Sequence, residues 1–123
     1  MNIIDSSGWL EYFSDGPNAN HYLQPLNDAS SLLVPVITIY EVFKVVLRES
    51  SENEALQAVA AMQKGKIMGL TVKIAIEASK LSLQNNLPMA DSIILATARA
   101  FSCVIWTQDS DFQHIEGVHY FPT

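Results

Sequence analysis

Short apolar runs, separated by segments with helical spacing, constrain this chain more than any other feature. The runs are Asn2-Ile3-Ile4, Leu32-Leu33-Val34, Ile67 to Leu70, Cys103-Val104-Ile105-Trp106 and, near the end, Val118 to Phe121. Each is short and bounded by turn-forming residues, as a buried strand should be. Between them, apolar residues recur at helical spacing. Trp9 to Phe13 suggest a first helix closed by Ser14-Asp15-Gly16-Pro17, and residues 18–28 a second that Pro25 weakens. Thr38 to Leu47, Glu52 to Gln63, Thr71 to about Asn85 and Met89 to Phe101 carry the clearer stripes. Strands alternating with helices in this way predict an α/β fold with a central, mostly parallel sheet of four to five strands.

Composition narrows the class. A chain of 123 residues with 49% hydrophobic and 16% charged residues is too apolar for a disordered segment and suits one domain over residues 1–123. Cys103 stands alone, which excludes an intrachain disulfide and a thiolate zinc site. The first residues contain no basic start followed by an apolar stretch, and no run approaches a membrane span, so a soluble cytoplasmic chain is expected. Acidic residues outnumber basic ones 13 to 7, for a net charge of −6, which disfavours binding to nucleic acid by charge alone.

In a parallel α/β sheet, ligands bind beyond the carboxyl ends of the strands. Acids arrive at that edge from four segments. Asp5 ends the first strand, Glu41 lies in the first turn of the helix after the second, Asp91 opens the helix leading into the fourth, and Asp109 and Asp111 follow the fourth. Only Lys44 stands within three or so residues of any of them. Carboxylates brought together raise one another's pKa and persist as anions only beside a cation. All-oxygen ligation points to Mg²⁺ or Mn²⁺, an ion that activates water and stabilises a phosphate leaving oxygen.

Each acid also has a purely structural reading. Thr38-x-x-Glu41 fits a capping box, Asp91 complements a helix dipole, and Asp109-Ser110-Asp111 is ordinary loop chemistry. Asp5 resists such a reading, because an acid directly after a buried strand needs a partner. His21, His114 and His119 share no ligand spacing and read as surface or packing residues.

At these residues the sequence resembles the PIN-domain family. Asn-Ile-Ile-Asp5-Ser-Ser is similar to its opening strand. Glu41 in Ile-Tyr-Glu-Val-Phe-Lys, Asp91 in Met-Ala-Asp-Ser-Ile-Ile-Leu-Ala-Thr-Ala and Thr107-x-Asp109-x-Asp111-Phe112 are similar to its later motifs. The length resembles VapC-type toxins of toxin–antitoxin pairs. The resemblance implies a three-layer α/β/α fold and Mg²⁺-dependent cleavage of RNA by attack of an activated water, with Mn²⁺ able to substitute. It implies a catalytic quartet of Asp5, Glu41, Asp91 and Asp109, with Asp5, Asp91 and Asp109 as metal ligands and Asp111 more peripheral. Thr107 and Ser6 match hydroxyl positions that support the acids. A cognate VapB-type antitoxin and a homodimer are the implied partners. Trp9, Tyr12 and Phe13 are a candidate apolar patch for one of them.

A phosphotransferase of the haloacid dehalogenase type would need a second acid at Ser7. Glycine-rich nucleotide loops are absent. The remaining rival is a PIN-fold binding module that acts through its antitoxin complex with little catalysis.

Overall fold

The computed structural model describes residues 1–123. Five strands, β1 (Asn2–Ile4), β2 (Leu33–Pro35), β3 (Lys66–Met68), β4 (Val104–Thr107) and β5 (Val118–Tyr120), all pair in parallel. β4 lies between β1 and β5, and β2 pairs with β3. A single parallel bridge, Asn2 to Leu32, joins the two groups into one layer of order β3-β2-β1-β4-β5. The expected sheet is therefore present, but its ladder thins to one bridge at the centre. The chain leaves β1 towards β2 and β3, then returns to the other side of β1 as β4. That reversal places the crevice at the carboxyl ends of β1 and β4, where open α/β sheets bind ligands.

Helices cover both faces. Alternate strand residues point to opposite sides, as the pleat requires. Ile3, Leu33 and Ile105 join a core with α5 (Val72–Asn85), α6 (Met89–Ala100) and Phe112. Ile4, Val34 and Trp106 join a second core with residues of α1 (Ser6–Phe13), α3 (Val36–Glu49) and α4 (Glu52–Met62). Residues 18–28 form no regular helix. They fold as a 3-10 turn, Ala19–Tyr22, and the single-turn α2, Leu23–Leu26, as the proline there implied.

Local signals explain most boundaries. Ser51 caps α4 by accepting from the Glu54 N–H, and Thr71 caps α5 by accepting from the Ile74 N–H. Asn86 ends α5 in the left-handed conformation, φ 52°, which asparagine tolerates better than most residues. Gly8 is required by packing: a Cβ there would come within 2.5 Å of the Tyr22 ring and 2.7 Å of the Ile4 methyl. The segment 107–114, expected as polar loop, contains a 3-10 turn at Ser110–Phe112. Its Phe112 is fully buried and ties the loop to the α5–α6 core. Trp9 is likewise buried, with only Tyr12 of the proposed patch clearly exposed. The three aromatic residues therefore do not form one surface patch.

Candidate active site

Asp5 is held by the turn it starts. As N-cap of α1 it accepts from the Gly8 N–H at 3.0 Å and from the Ser7 hydroxyl at 2.8 Å, both on Oδ1. Its Oδ2 accepts from the Thr107 hydroxyl at 2.6 Å. The Asp5 N–H donates to the Trp106 carbonyl, which fixes the end of β1 against the end of β4. Thr107 also accepts from the Asp109 N–H at 2.9 Å, and the Asp109 side chain accepts from the Asp111 N–H at 2.9 Å. Ser7 accepts from the Gln108 N–H at 3.2 Å. One polar network thus spans both strand ends and orients the loop that carries Asp109 and Asp111.

Asp91 reaches the same place from the other side. It lies in the first turn of α6, which has no side-chain cap, so its carboxylate faces the positive end of the helix dipole. Asp91, Asp109 and Asp111 each offer an oxygen within 4.8 Å of the others. Asp91 is buried, Asp109 half-buried and Asp111 exposed, giving a cluster open on one side. The three oxygens are close enough together that one shared cation could contact them all.

Nothing cationic neutralises these groups. The ion pairs in the chain are Arg48–Glu49 and Lys80–Glu77, both on the surface and neither involving the cluster. Burial first, and then the neighbouring Asp109 and Asp5 charges, push Asp91 up to about 8. Asp5 rises to about 6, chiefly through burial; the hydrogen bonds from Thr107, Ser7 and Gly8 oppose the rise and Asp109 adds to it. Asp91, held mostly protonated at neutral pH, and Asp5, raised less far, form with a third and fourth acid beside them a donor set that a divalent cation fits. Asp91, Asp109 and Asp111 are the residues placed to hold it, with Asp5 beside them.

Glu41 is tied to the start of α1 through Ser6. Its Oε1 accepts from the Ser6 hydroxyl at 2.5 Å, so the residue next to Asp5 grips it. Two expectations are corrected here. Thr38 and Glu41 form no capping box: α3 starts at Val36, and Thr38 donates instead to the Pro35 carbonyl at 2.7 Å. Glu41 accordingly sits in the second turn of α3, not the first. Ser7, which the sequence offered only as the position lacking a second acid, proves central to the network. A hydroxyl two residues after a strand-end acid could have signalled that role. His21 and His119 stack on Phe121 and Trp106 respectively, so their roles are packing ones.

The comparisons agree with this fold. The model of the PIN domain family matches residues 3–118, nearly the whole chain, and the protein belongs to that family. No curated protein sequence matches it. Solved structures share the fold. A toxin–antitoxin complex from Klebsiella pneumoniae is 23% identical with TM-score 0.82, covering 100% of both chains. VapC20 of Mycobacterium tuberculosis, described as a sarcin–ricin loop cleaving toxin, is 13% identical with TM-score 0.82, covering 96% of this chain and 97% of its own. DNA-bound VapBC from Salmonella typhimurium is 14% identical with TM-score 0.75, covering 99% and 98%. No helix is long and apolar enough to cross a membrane.

Proposed function

We propose that this protein is a Mg²⁺-dependent endoribonuclease, the toxin of a VapBC-type pair, with Mn²⁺ able to replace Mg²⁺. The observation that carries the reading is the uncompensated cluster of Asp91, Asp109 and Asp111 beside buried Asp5 at the switch point of the sheet. Such a cluster costs folding free energy, and catalysis on a phosphodiester gives it a use. When bound, the divalent ion would neutralise phosphate charge and activate water. Asp91 and Asp109 would hold it and Asp111 would complete the donor set, while Asp5 locks the loop through Thr107. Glu41, fixed by Ser6, would accept the proton of the attacking water. The VapC and VapBC neighbours support RNA as substrate and a VapB-type protein as inhibitor. A homodimer in the cytoplasm belongs to the same proposal.

The test is incubation of the purified chain, free of antitoxin, with total cellular RNA in Mg²⁺, Mn²⁺ and EDTA arms beside Asp91→Asn. Discrete products that need both metal and Asp91 are expected. Absence of cleavage in every arm would leave a PIN fold that acts by binding alone. Cleavage undiminished in Asp91→Asn would remove the site.

A further inference from the structure

Helix α3 presents an aromatic ring and a cation side by side, next to one of the acids. Glu41, tied to the start of α1 by Ser6, has Tyr40 as its sequence neighbour and Lys44 one turn on. Tyr40 and Lys44 stand four residues apart and so share one strip of the helix surface. The Lys44 ammonium lies 5.7 Å from the centre of the Tyr40 ring, within cation–π reach. Val36, exposed and four residues before Tyr40, continues the strip to the carboxyl end of β2. The strip therefore begins at the sheet edge where the acids gather.

The fold makes little use of either side chain. Tyr40 is 60% exposed, more than any other Tyr, Phe or Trp in the chain. Lys44 is exposed and has no carboxylate partner, since the ion pairs are Arg48–Glu49 and Lys80–Glu77. An exposed pair of this spacing adds little to the stability of a helix.

Position sets Lys44 apart from the other basic residues. Lys64 and Lys66 lie at the amino end of β3, away from the crevice. Arg99 and Asp91 stand at opposite ends of α6. Lys73 opens α5, which follows the outermost strand, β3. A chain of charge −6 with carboxylates in its crevice needs a nearby cation to hold a polyanion. Lys44 supplies one, and Tyr40 adds a flat apolar face that phosphate contacts lack. Single-stranded nucleic acids are held in this way, by bases stacked on aromatic rings and basic residues along the backbone. One ring with one ammonium matches one nucleotide and is far smaller than a protein interface.

We infer that Tyr40 and Lys44 form a nucleotide subsite, in which the ring stacks on a base of single-stranded RNA beside the cut and the ammonium contacts its phosphate. The inference rests on the ribonuclease reading for its substrate and adds the residues that grip the strand. Stacking tolerates any base, so the subsite holds the strand in place without selecting its sequence.

Fluorescence anisotropy tests it, with a short labelled single-stranded RNA of mixed sequence and the full chain carrying Asp91→Asn, so that the strand stays intact in Mg²⁺. Adding Tyr40→Ala should weaken binding on the order of tenfold or more, and Tyr40→Phe, which keeps the ring, should restore it. Adding Lys44→Gln should flatten the slope of log affinity against log salt by about 0.7, the share of one phosphate on a single strand. Leu56→Ala, at an exposed leucine on α4, should change neither. With Asp91 intact, Tyr40→Ala should raise KM for cleavage and leave kcat near wild type. Equal affinity in Tyr40→Ala, or an unchanged salt slope in Lys44→Gln, would overturn the inference and leave the ring to a protein partner, while cleavage by the wild type would keep the ribonuclease. Binding that needs Tyr40 and Lys44, with no cleavage by the wild type, would uphold the subsite and remove the ribonuclease. RNA that does not bind at all would overturn the subsite as well.

Discussion

Asp5 and Asp91 stand on opposite walls of one crevice and live in different circumstances. Asp5 belongs to the strand-end wall, where a backbone N–H and two hydroxyls converge on its two oxygens. Asp91 belongs to the helix wall, where the side-chain neighbours that shift it are Asp109, Asp5 and Asp111. Both are buried acids, so burial alone does not separate them. The difference is what each carboxylate does for the fold. Asp5 caps α1 and ties β1 to β4, so folding uses it. Asp91 is raised by burial and by neighbouring carboxylates, a cost that a bound cation would offset.

The largest expected effect is on catalysis. Asp91→Asn removes a ligand from the site, and the loss of several kcal/mol of transition-state stabilisation corresponds to about 10³-fold slower cleavage. The same variant should melt higher than wild type in EDTA at pH 8. Lower melting there would place Asp91 among the residues that hold the fold together.

The pH dependence sharpens the contrast. A carboxyl whose folded pKa is raised keeps its proton in the folded state after the unfolded chain has lost it. Its contribution to stability is therefore complete below the unfolded value and is lost as pH rises through the folded one. For Asp5 that window runs from 3.8 to about 6, and for Asp91 from 3.8 to about 8. Wild type in EDTA should lose on the order of 15 °C in Tm between pH 5 and 8. Asp91→Asn should remove most of the fall above pH 6, and calorimetry across that range checks it.

Asp5→Ala leaves three donors without their acceptor and should cost roughly 2 kcal/mol, as a lost cap and buried hydrogen bonds do. Urea titration would show it, and a variant as stable as wild type would contradict the structural role. Smaller still, Ser6→Ala frees Glu41 and should slow cleavage about 10-fold with stability within ~0.5 kcal/mol. An equal loss from Ser6→Ala and Asp91→Asn would erase the distinction between holding the ion and orienting a helper.

The contrast also explains what the sequence could show. Strand–acid junctions are local, so Asp5 and Asp109 are visible as carboxylates directly after apolar runs. Asp91 is visible through the first turn of a strong helical stripe. The resemblance gives Asp111 a peripheral place, and its approach to Asp91 and Asp109 depends on the 3-10 turn at Ser110–Phe112, which Asp109 caps and the buried Phe112 anchors. That turn is set by tertiary packing, which no local pattern encodes. Thr38-x-x-Glu41 misleads for a related reason. Pro35 ends β2 and lets α3 begin at Val36, leaving Glu41 free to meet Ser6 across the sheet end.

The most direct measurement titrates Mn²⁺ into the ion-free protein at pH 7 by calorimetry in two buffers of different ionisation enthalpy. An ion that binds at Asp91 must displace the proton it carries there, because Asp91 is raised to about 8. One site per chain with release of about one proton, lost in Asp91→Asn, is the predicted result. Binding without proton release, or binding of equal strength in Asp91→Asn, would contradict a cation site built on Asp91.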